Sequence, residues 1–401
     1  MSWKNARQRS KVITQGKLPM KFDTHFCLVS EQPTPNLTPV LDRDFRPGRV
    51  VLAVTPKMQD HARWLAEVIR PHGVAVDQIP IPDPYQYHAC RDAMLDWLCA
   101  HEAENVALNI TGGTKLMALA AHEVFLGNQR PAFYVSAETD ELIFLAPELR
   151  DQGFVLAPKL KLSDYLKAHG YILSRPAAKP GIPARLRDLA DHVVSGVSRW
   201  AGALGQLNQL GDEAERKRSL SVKMSPDQTD SRALEELLGE FEQAGLLTVA
   251  KNEIRFADEK ARAFVKGGWL EFHTYRNVSD LAPELGITDY AMDIEVVAPD
   301  GKTKNQLDGA FLHRNRLHVI ECKAGNLATA GGPDASKGAD ALYKLDSLRR
   351  LGGLRTREML IDYRGKLSRA DRERAAQAKI RVVSDARLRD LKGELRQWVS
   401  E

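Results

Sequence analysis

Apolar residues in the first third of the chain fall in short runs that alternate with amphipathic stretches. HFCLVS (25–30) and RVVLAVTP (49–56) are continuous apolar runs, the pattern of strands buried on both faces. MQDHARWLAEVIRPHG (58–73) instead repeats apolar residues at helical spacing and stops at Pro71 and Gly73. VAVDQIPI (74–81) predicts a strand, AMLDWLCAHE (93–102) a helix, NVALNI (105–110) a strand and LMALAAHEVFLG (116–127) a helix. PAFYVSA (131–137) and ELIFLA (141–146) close the series as a strand pair. Strands and helices alternating at this interval predict βαβ units on a mostly parallel sheet, a Rossmann-like domain over residues 22–154. Its first connection, EQPTPNLTPV (31–40), carries three prolines and predicts a loop, not a helix.

The pattern changes over 155–262. ARLRDLADHVVSGVSRWAGALGQL (184–207) is helical, GDEAERKRSLSVKMSPDQTD (211–230) reads as a polar linker, and ALEELLGEFEQAGLLTVAKNEIRFA (233–257) reads as a helix followed by a short hairpin. That order resembles a winged-helix module, and it equally suits a helical spacer. From 263 to 401 the α/β texture returns. GGWLEFHTYRNV opens on a helix, and YAMDIEVVA, QLDGAFL and RLHVIECKAG are strands. The helix ADALYKLDSLRRLGG, the strand EMLIDY, the helix SRADRERAAQAK and the strand IRVVS follow. A second, separate α/β sandwich is expected.

Composition narrows the picture little further. A chain of 401 residues is long for one domain, and a net charge of +4 is ordinary, so only local clustering of charge is informative. The four cysteines form no CxxC and have no paired histidine nearby, which disfavours structural zinc or a disulfide framework and fits reduced thiols in a cytoplasm. No apolar run approaches the roughly 20 residues of a membrane span, so no membrane partner is expected. Residues 1–21 carry Lys4, Arg7, Arg9, Lys11, Lys17 and Lys21 without an acid or an apolar core, and read as a flexible basic arm. His88, His313 and His318 have no partner spacing and read as structural.

In NITGGTKLMALAAHEVF (109–125) a strand ends at Asn109-Ile110 and a helix begins at Lys115. Loops of this kind lie at the carboxyl edge of a parallel sheet, where ligands bind. Gly112 and Gly113 let backbone N–H groups approach an anion, the helix N-terminus adds partial positive charge, and Lys115 adds a full one. The spacing is neither GxxxxGK[ST] nor GxGxxG. It leaves two readings, a phosphate cradle or a tight glycine turn beside a solvated lysine. LVSEQPTPNLTP together with NITGGTKLMALAAHEVF resembles the CARF (CRISPR-associated Rossmann fold) sensor domains, in the branch fused to restriction-endonuclease-like nucleases. The resemblance spans residues 25 to about 150. It implies a homodimer that binds a cyclic oligoadenylate, usually cyclic tetra-adenylate, across its two-fold axis. It also implies that Thr111, Gly112, Gly113, Thr114 and Lys115 contact the ribose-phosphate backbone, with Ser30, Gln32 and Asn36 completing the pocket.

QLDGAFLHRNRLHVIECKAG (306–325) reads as two strands around the turn His313–Arg316. With a loop of two or four residues Leu312 pairs with Leu317, and Asp308 then falls opposite Glu321, about 5 Å apart at Cβ. A three-residue loop would instead set Asp308 against Ile320 or Cys322. Lys323 shares the face of Glu321. Ala310, Leu312, Leu317 and Val319 on that face are apolar, and so are Phe311, Ile320 and Cys322 on the other. Two carboxylates buried together repel unless a cation joins them, and oxygen ligands suit Mg²⁺ or Mn²⁺. Asp308 and Glu321 are therefore the expected metal ligands, and Lys323 the residue that polarises the attacking water. A D-(x)n-ExK set on adjacent strands is the PD-(D/E)xK nuclease signature, here without the proline. In that class a helix carboxylate approaches the metal, which points to Glu271 in GGWLEFHTY, and more weakly to Glu295 on the preceding strand. Lys337, Lys344, Arg349, Arg350 and Arg355 are expected along the nucleic-acid phosphates.

The expected architecture is α/β: an N-terminal Rossmann-like CARF domain, a helical, winged-helix-like linker, and a C-terminal restriction-endonuclease-like domain. The expected function is a metal-dependent endonuclease for RNA or DNA, single- or double-stranded, licensed by cyclic tetra-adenylate. The rival is a ligand-responsive winged-helix DNA-binding regulator with an inert nuclease fold.

Overall fold

The computed structural model describes residues 21–136, 139–157, 160–327 and 337–401. The basic arm expected over 1–21 therefore lies, apart from Lys21, outside the described residues. The chain divides into two compact units, residues up to 157 and residues from 158 on.

The first unit runs β1 (Thr24–Leu28), α1 (Thr34–Leu41), β2 (Arg49–Val54), α2 (Gln59–Ile69), β3 (Ala75–Pro80), α3 (Tyr87–Ala100), β4 (Val106–Asn109), α4 (Lys115–Gly127), β5 (Ala132–Val135), β6 (Glu141–Phe144) and β7 (Phe154–Val155). The sheet order is β3-β2-β1-β4-β5-β6-β7, parallel as far as β5 and antiparallel beyond. Apolar residues cover both faces. Phe26, Leu28, Val51, Met94, Met117 and Phe125 pack on one side, and Phe22, Phe45, Phe133 and Phe144 on the other. The expected loop over 31–40 is instead helix α1. Pro33 stands at its N-cap and Pro35 in its first turn, where the backbone has no intrahelical acceptor to lose. Pro39 is the one misplaced proline, and burial of Leu37, Val40 and Leu41 outweighs its missing N–H.

The second unit runs α5 (Leu162–Ala168), β8 (Ile172–Leu173), α6 (Ala184–Ser195), α7 (Val197–Arg216), β9 (Ser221–Lys223), α8 (Pro226–Thr229), α9 (Arg232–Gln243), β10 (Leu247–Ala250), β11 (Glu253–Phe256), α10 (Glu259–Ala263), α11 (Trp269–Leu285), β12 (Ile287–Val297), β13 (Lys304–His313), β14 (Arg316–Lys323), α12 (Lys337–Leu348), β15 (Arg357–Asp362), α13 (Arg369–Gln377), β16 (Arg381–Ser384) and α14 (Leu391–Ser400). The polar stretch 211–230 is not a linker. It finishes α7, supplies β9, and opens α8 with a capping box in which Ser225 and Gln228 bond each other's backbone. Three helices and a β10-β11-β9 sheet make a winged-helix topology over 197–256. It shares one apolar core with the α/β part, since Leu204, Leu237 and Phe241 belong to the same cluster as Trp269, Phe311, Ile361 and Trp398. The large sheet has the order β16-β15-β14-β13-β12-β8, antiparallel through β12–β14 and parallel through β14–β16. Among the described residues no helix is long and apolar enough to cross a membrane.

Candidate functional site

The β13–β14 hairpin turns on Arg314 and Asn315, with φ of 48° and 52°. Two successive left-handed residues make a two-residue turn whose twist matches the strands. The pairing runs Leu312↔Leu317 to Gly309↔Ile320. The next step along the strands carries Asp308 to Glu321, and the Asp308 carboxylate accepts the Cys322 backbone N–H at 2.7 Å. Lys323 Nζ lies 2.6 Å from Glu321 Oε1 and 4.0 Å from Asp308 Oδ2. The three expected residues therefore meet at one end of the hairpin, in the two-residue register. Glu321 is fully buried and Asp308 nearly so, while the Lys323 side chain stays about one-third exposed.

Burial, and then the Glu321 charge, pushes the Asp308 carboxyl up to about 6. Glu271, in the first turn of α11, is pushed up to about 8 by burial and then by Asp308. Burial alone would depress Lys323, but Glu321 and Asp308 outweigh it and the lysine is raised, hence a donor and not a base. Glu271, Cys322, Lys323, Lys266, Lys337 and Arg364 open on one cavity of about 540 Å³. Glu295 lies further along β12, opposite Gln306.

Two contacts near this site go beyond the expectation, one of them made by Lys344, which was expected along the phosphates. Lys344 of α12 donates to both oxygens of Glu321, at 2.8 and 2.7 Å. Asp293, with φ of 50°, falls opposite Asp308 between the pairs Met292↔Gly309 and Ile294↔Leu307, and its charge is among those raising Glu271. Neither carries a local signal, because one is a helical lysine 21 residues past Lys323 and the other a strand acid whose backbone kink no motif announces. The expected row of phosphate contacts also divides. Lys337 and Lys344 belong to the catalytic end, but Arg349 forks onto buried Glu358 at 3.0 and 3.1 Å, and Arg355 lines a different basin. His318, pushed down to about 3 by burial, stacks on Phe311.

The chemistry of the donor set fits a hard divalent cation, since Asp308, Glu321 and Glu271 offer oxygens that repel one another when ionised. Among the described residues, however, no three acidic, histidine or cysteine side chains converge as ligands. The Lys344 and Lys323 ammonium groups hold Glu321.

In the first unit the chain leaves β1 for β2 and β3 on one side and for β4 and β5 on the other, so the crevice between β1 and β4 is the topological switch point. The loops after both strands border it. A Cβ on Gly112 would lie 2.0 Å from the Leu28 carbonyl oxygen, and Gly113 has φ of 73°, so this turn fits against β1 only with glycines. Thr111 donates to Asn109 Oδ1 at 2.7 Å and accepts from the Val135 N–H at 2.8 Å. Thr114 caps α4 and donates to the Pro84 carbonyl at 2.8 Å. Asn36 is buried, donating to the Leu28 carbonyl at 2.9 Å and accepting from Asn109 at 3.0 Å. These three side chains brace the loops through these bonds, with Asn36 buried and Thr111 and Thr114 half-buried. Ser30 and Gln32 are half-buried and Lys115 is exposed at the helix start. The Thr114–Pro84 bond also brings up the loop after β3, whose Tyr85 is 72% exposed. The ring belongs to DPYQY (83–87), between a strand and a helix, a stretch to which the sequence pattern assigns no element.

A sensor crevice and a carboxylate–lysine hairpin together define a CARF domain joined to an endonuclease. A family model described as the Card1 CARF domain matches residues 24–165, and one described as the Card1-like endonuclease domain matches 258–401. The chain thus carries a CARF domain and a Card1-like endonuclease domain, the pairing of the CARF-linked CRISPR ancillary nucleases. Among solved structures it resembles protein VC1899 from Vibrio cholerae, at 27% identity and a TM-score of 0.86, covering 94% of this chain and 98% of that one. It also resembles Can2 from Sulfobacillus thermosulfidooxidans, solved in complex with cyclic tetra-adenylate, at 26% identity and a TM-score of 0.76, covering 95% and 98%. A type III CRISPR defence DNA nuclease activated by cyclic oligoadenylate shares the fold at 22% identity and a TM-score of 0.54, over 86% of this chain and 46% of that one. A search of curated proteins found no match.

Proposed function

We propose that this chain is a cyclic-oligoadenylate-activated nuclease of type III CRISPR defence, binding cyclic tetra-adenylate at the β1–β4 crevice of a homodimer and hydrolysing nucleic-acid phosphodiesters at Asp308, Glu321 and Lys323. The observation that carries the reading is the meeting of those three residues, with Lys323 and the nearby Glu271 opening on one cavity. The Can2 relative, with its bound cyclic tetra-adenylate, supports the choice of activator.

Mg²⁺ or Mn²⁺ held by Asp308 and Glu321, with Glu271 approaching, would stabilise the charge that builds on the scissile phosphate. Lys323, protonated and facing the cavity, orients the attacking water through its N–H donors. Lys344, which donates to both oxygens of Glu321, would have to give up at least one of them for that carboxylate to hold a cation. In the sensor, the backbone amides of Gly112 and Gly113, the start of α4 and Lys115 suit a phosphate, and Tyr85 offers a face on which an adenine stacks.

The regulator reading gains little from the winged-helix topology. Helix α9 carries Glu235, Glu236, Glu240 and Glu242 against Arg232 alone, a charge that repels a phosphate backbone. Calorimetric titration of Mn²⁺ into wild type and Glu321→Ala tests the catalytic site. Saturable heat lost in the variant is expected, and equal affinity in both would overturn the metal assignment.

A further inference from the structure

Helix α7 belongs by topology to the winged helix, yet one of its faces is a wall of the cavity on which Lys323 and Glu271 open. Ala203, Leu204, Leu207, Leu210 and Ala214 are buried in the shared core. Gly202, Gly205, Gln206, Gln209 and Asp212 fall on the opposite side at helical spacing, and all five line the cavity. Glycine is disfavoured inside a helix, so two of them on one face need a reason. At Gly205 the reason is Arg364. A Cβ there would lie 2.6 Å from Nη1 and 3.2 Å from Cζ of that guanidinium, which therefore rests against the bare backbone of α7. At Gly202 a Cβ would meet nothing within 4 Å, so the helix there faces open space.

The charges around the cavity are unevenly answered. Lys266 is paired with Asp212 at 2.6 Å and with Glu215, and Lys323 with Glu321. Arg364 lines the same cavity, and its side chain makes no ion pair or hydrogen bond among the described residues. The amides of half-buried Gln206 and exposed Gln209 likewise bond to none of them. Resting on the nuclease reading, we propose that this wall holds the nucleotide beside the scissile phosphate. Arg364 forks onto that nucleotide's phosphate, and the Gln206 and Gln209 amides bond the edge of its base. A planar guanidinium matches two phosphate oxygens at once. A primary amide sets a donor beside an acceptor, the pattern that base edges present. The phosphate contact positions the strand and the amide contacts make cleavage depend on the base. The cavity, about 540 Å³, lies within the range of about 300–1,000 Å³ that takes ligands of this size.

The test has a binding arm and a cleavage arm, both on full-length protein with cyclic tetra-adenylate. In EDTA a labelled short single-stranded oligonucleotide of mixed sequence should bind wild type saturably, and Arg364→Gln about tenfold more weakly. Arg369→Gln, at an exposed arginine of α13 paired with Glu373, is the control and should bind as wild type does. Gly205→Ala keeps the arginine but drives it off α7, so it should weaken binding in the same direction without melting earlier. With Mn²⁺ and a pool of random sequence, in DNA and in RNA, wild type should show a base bias beside the cut. Gln206→Ala/Gln209→Ala should flatten that bias, and Arg364→Gln should raise KM more than it lowers kcat. Absence of cutting by wild type would sink the nuclease reading, and the binding arm would still judge the wall. Affinity indifferent to Arg364→Gln, weakening confined to variants that also melt early, or an unaltered base bias would overturn the wall.

Discussion

Glu321 is a fully buried carboxylate whose two oxygens are shared between Lys323 and Lys344. Burying such a charge without a partner is penalised by several kcal/mol, so these lysines are its counter-ions. Glu271 lacks such cover. Its pKa is raised from 4.5 to about 8, so the folded protein retains a proton that the unfolded chain releases above pH 4.5. Stability from this group therefore falls as pH rises from about 4.5 to 8. In EDTA, Glu271→Gln should melt with wild type at low pH and progressively above it towards pH 8, as read by thermal unfolding across that range. A difference that stays flat with pH would contradict the assignment. The Asp308–Glu321–Lys323 set was legible in the sequence because strand period and turn length together fix which residues face each other. The bond from Lys344 to Glu321 was not, since it depends on how α12 packs across the sheet.

At the scale of elements, the turn at Arg314-Asn315 sets the register and thereby the meeting of Asp308, Glu321 and Lys323. Asn315→Val places a β-branched residue at φ of 52°, at a cost of about 1–2 kcal/mol. At about 2–4 °C per kcal/mol for a body of this size, calorimetry should record a fall of several degrees, with cleavage reduced alongside. An unchanged melting temperature would mean that the turn carries no strain. In the sensor, Gly112→Ala would drive a methyl group against the Leu28 carbonyl, so the loop must leave β1. Activator affinity, measured by calorimetry, should fall at least about tenfold while the domain stays folded. The elements that the sequence misjudged share a cause. Prolines at the start of α1 and polar residues over 211–230 look like breakers locally, yet one supplies a helix N-terminus and the other a capped helix on a shared core. Local composition speaks for loops there, and tertiary burial overrides it.

For the whole molecule, the reading requires a sensor that is two-fold compatible with a ring of phosphates. Lys115→Ala removes one charge-assisted contact of about 1.5–3 kcal/mol per protomer. Used twice in a dimer holding one activator, that loss should weaken binding of cyclic tetra-adenylate more than about 100-fold. High activator concentration should still restore cleavage, because Asp308, Glu321 and Lys323 are untouched. Calorimetry followed by an activator titration of turnover checks both halves, and unchanged affinity would reduce Lys115 to a solvated lysine at a helix start.

The most direct measurement is cleavage of labelled single- and double-stranded DNA and of RNA, with Mn²⁺, in the presence and absence of cyclic tetra-adenylate. Wild type should cut at least one substrate when activator and Mn²⁺ are both present, slow sharply without activator, and stop in EDTA, while Glu321→Ala binds activator normally and cuts nothing. Equal cutting with and without the activator, or persistent cutting by Glu321→Ala, would contradict the account.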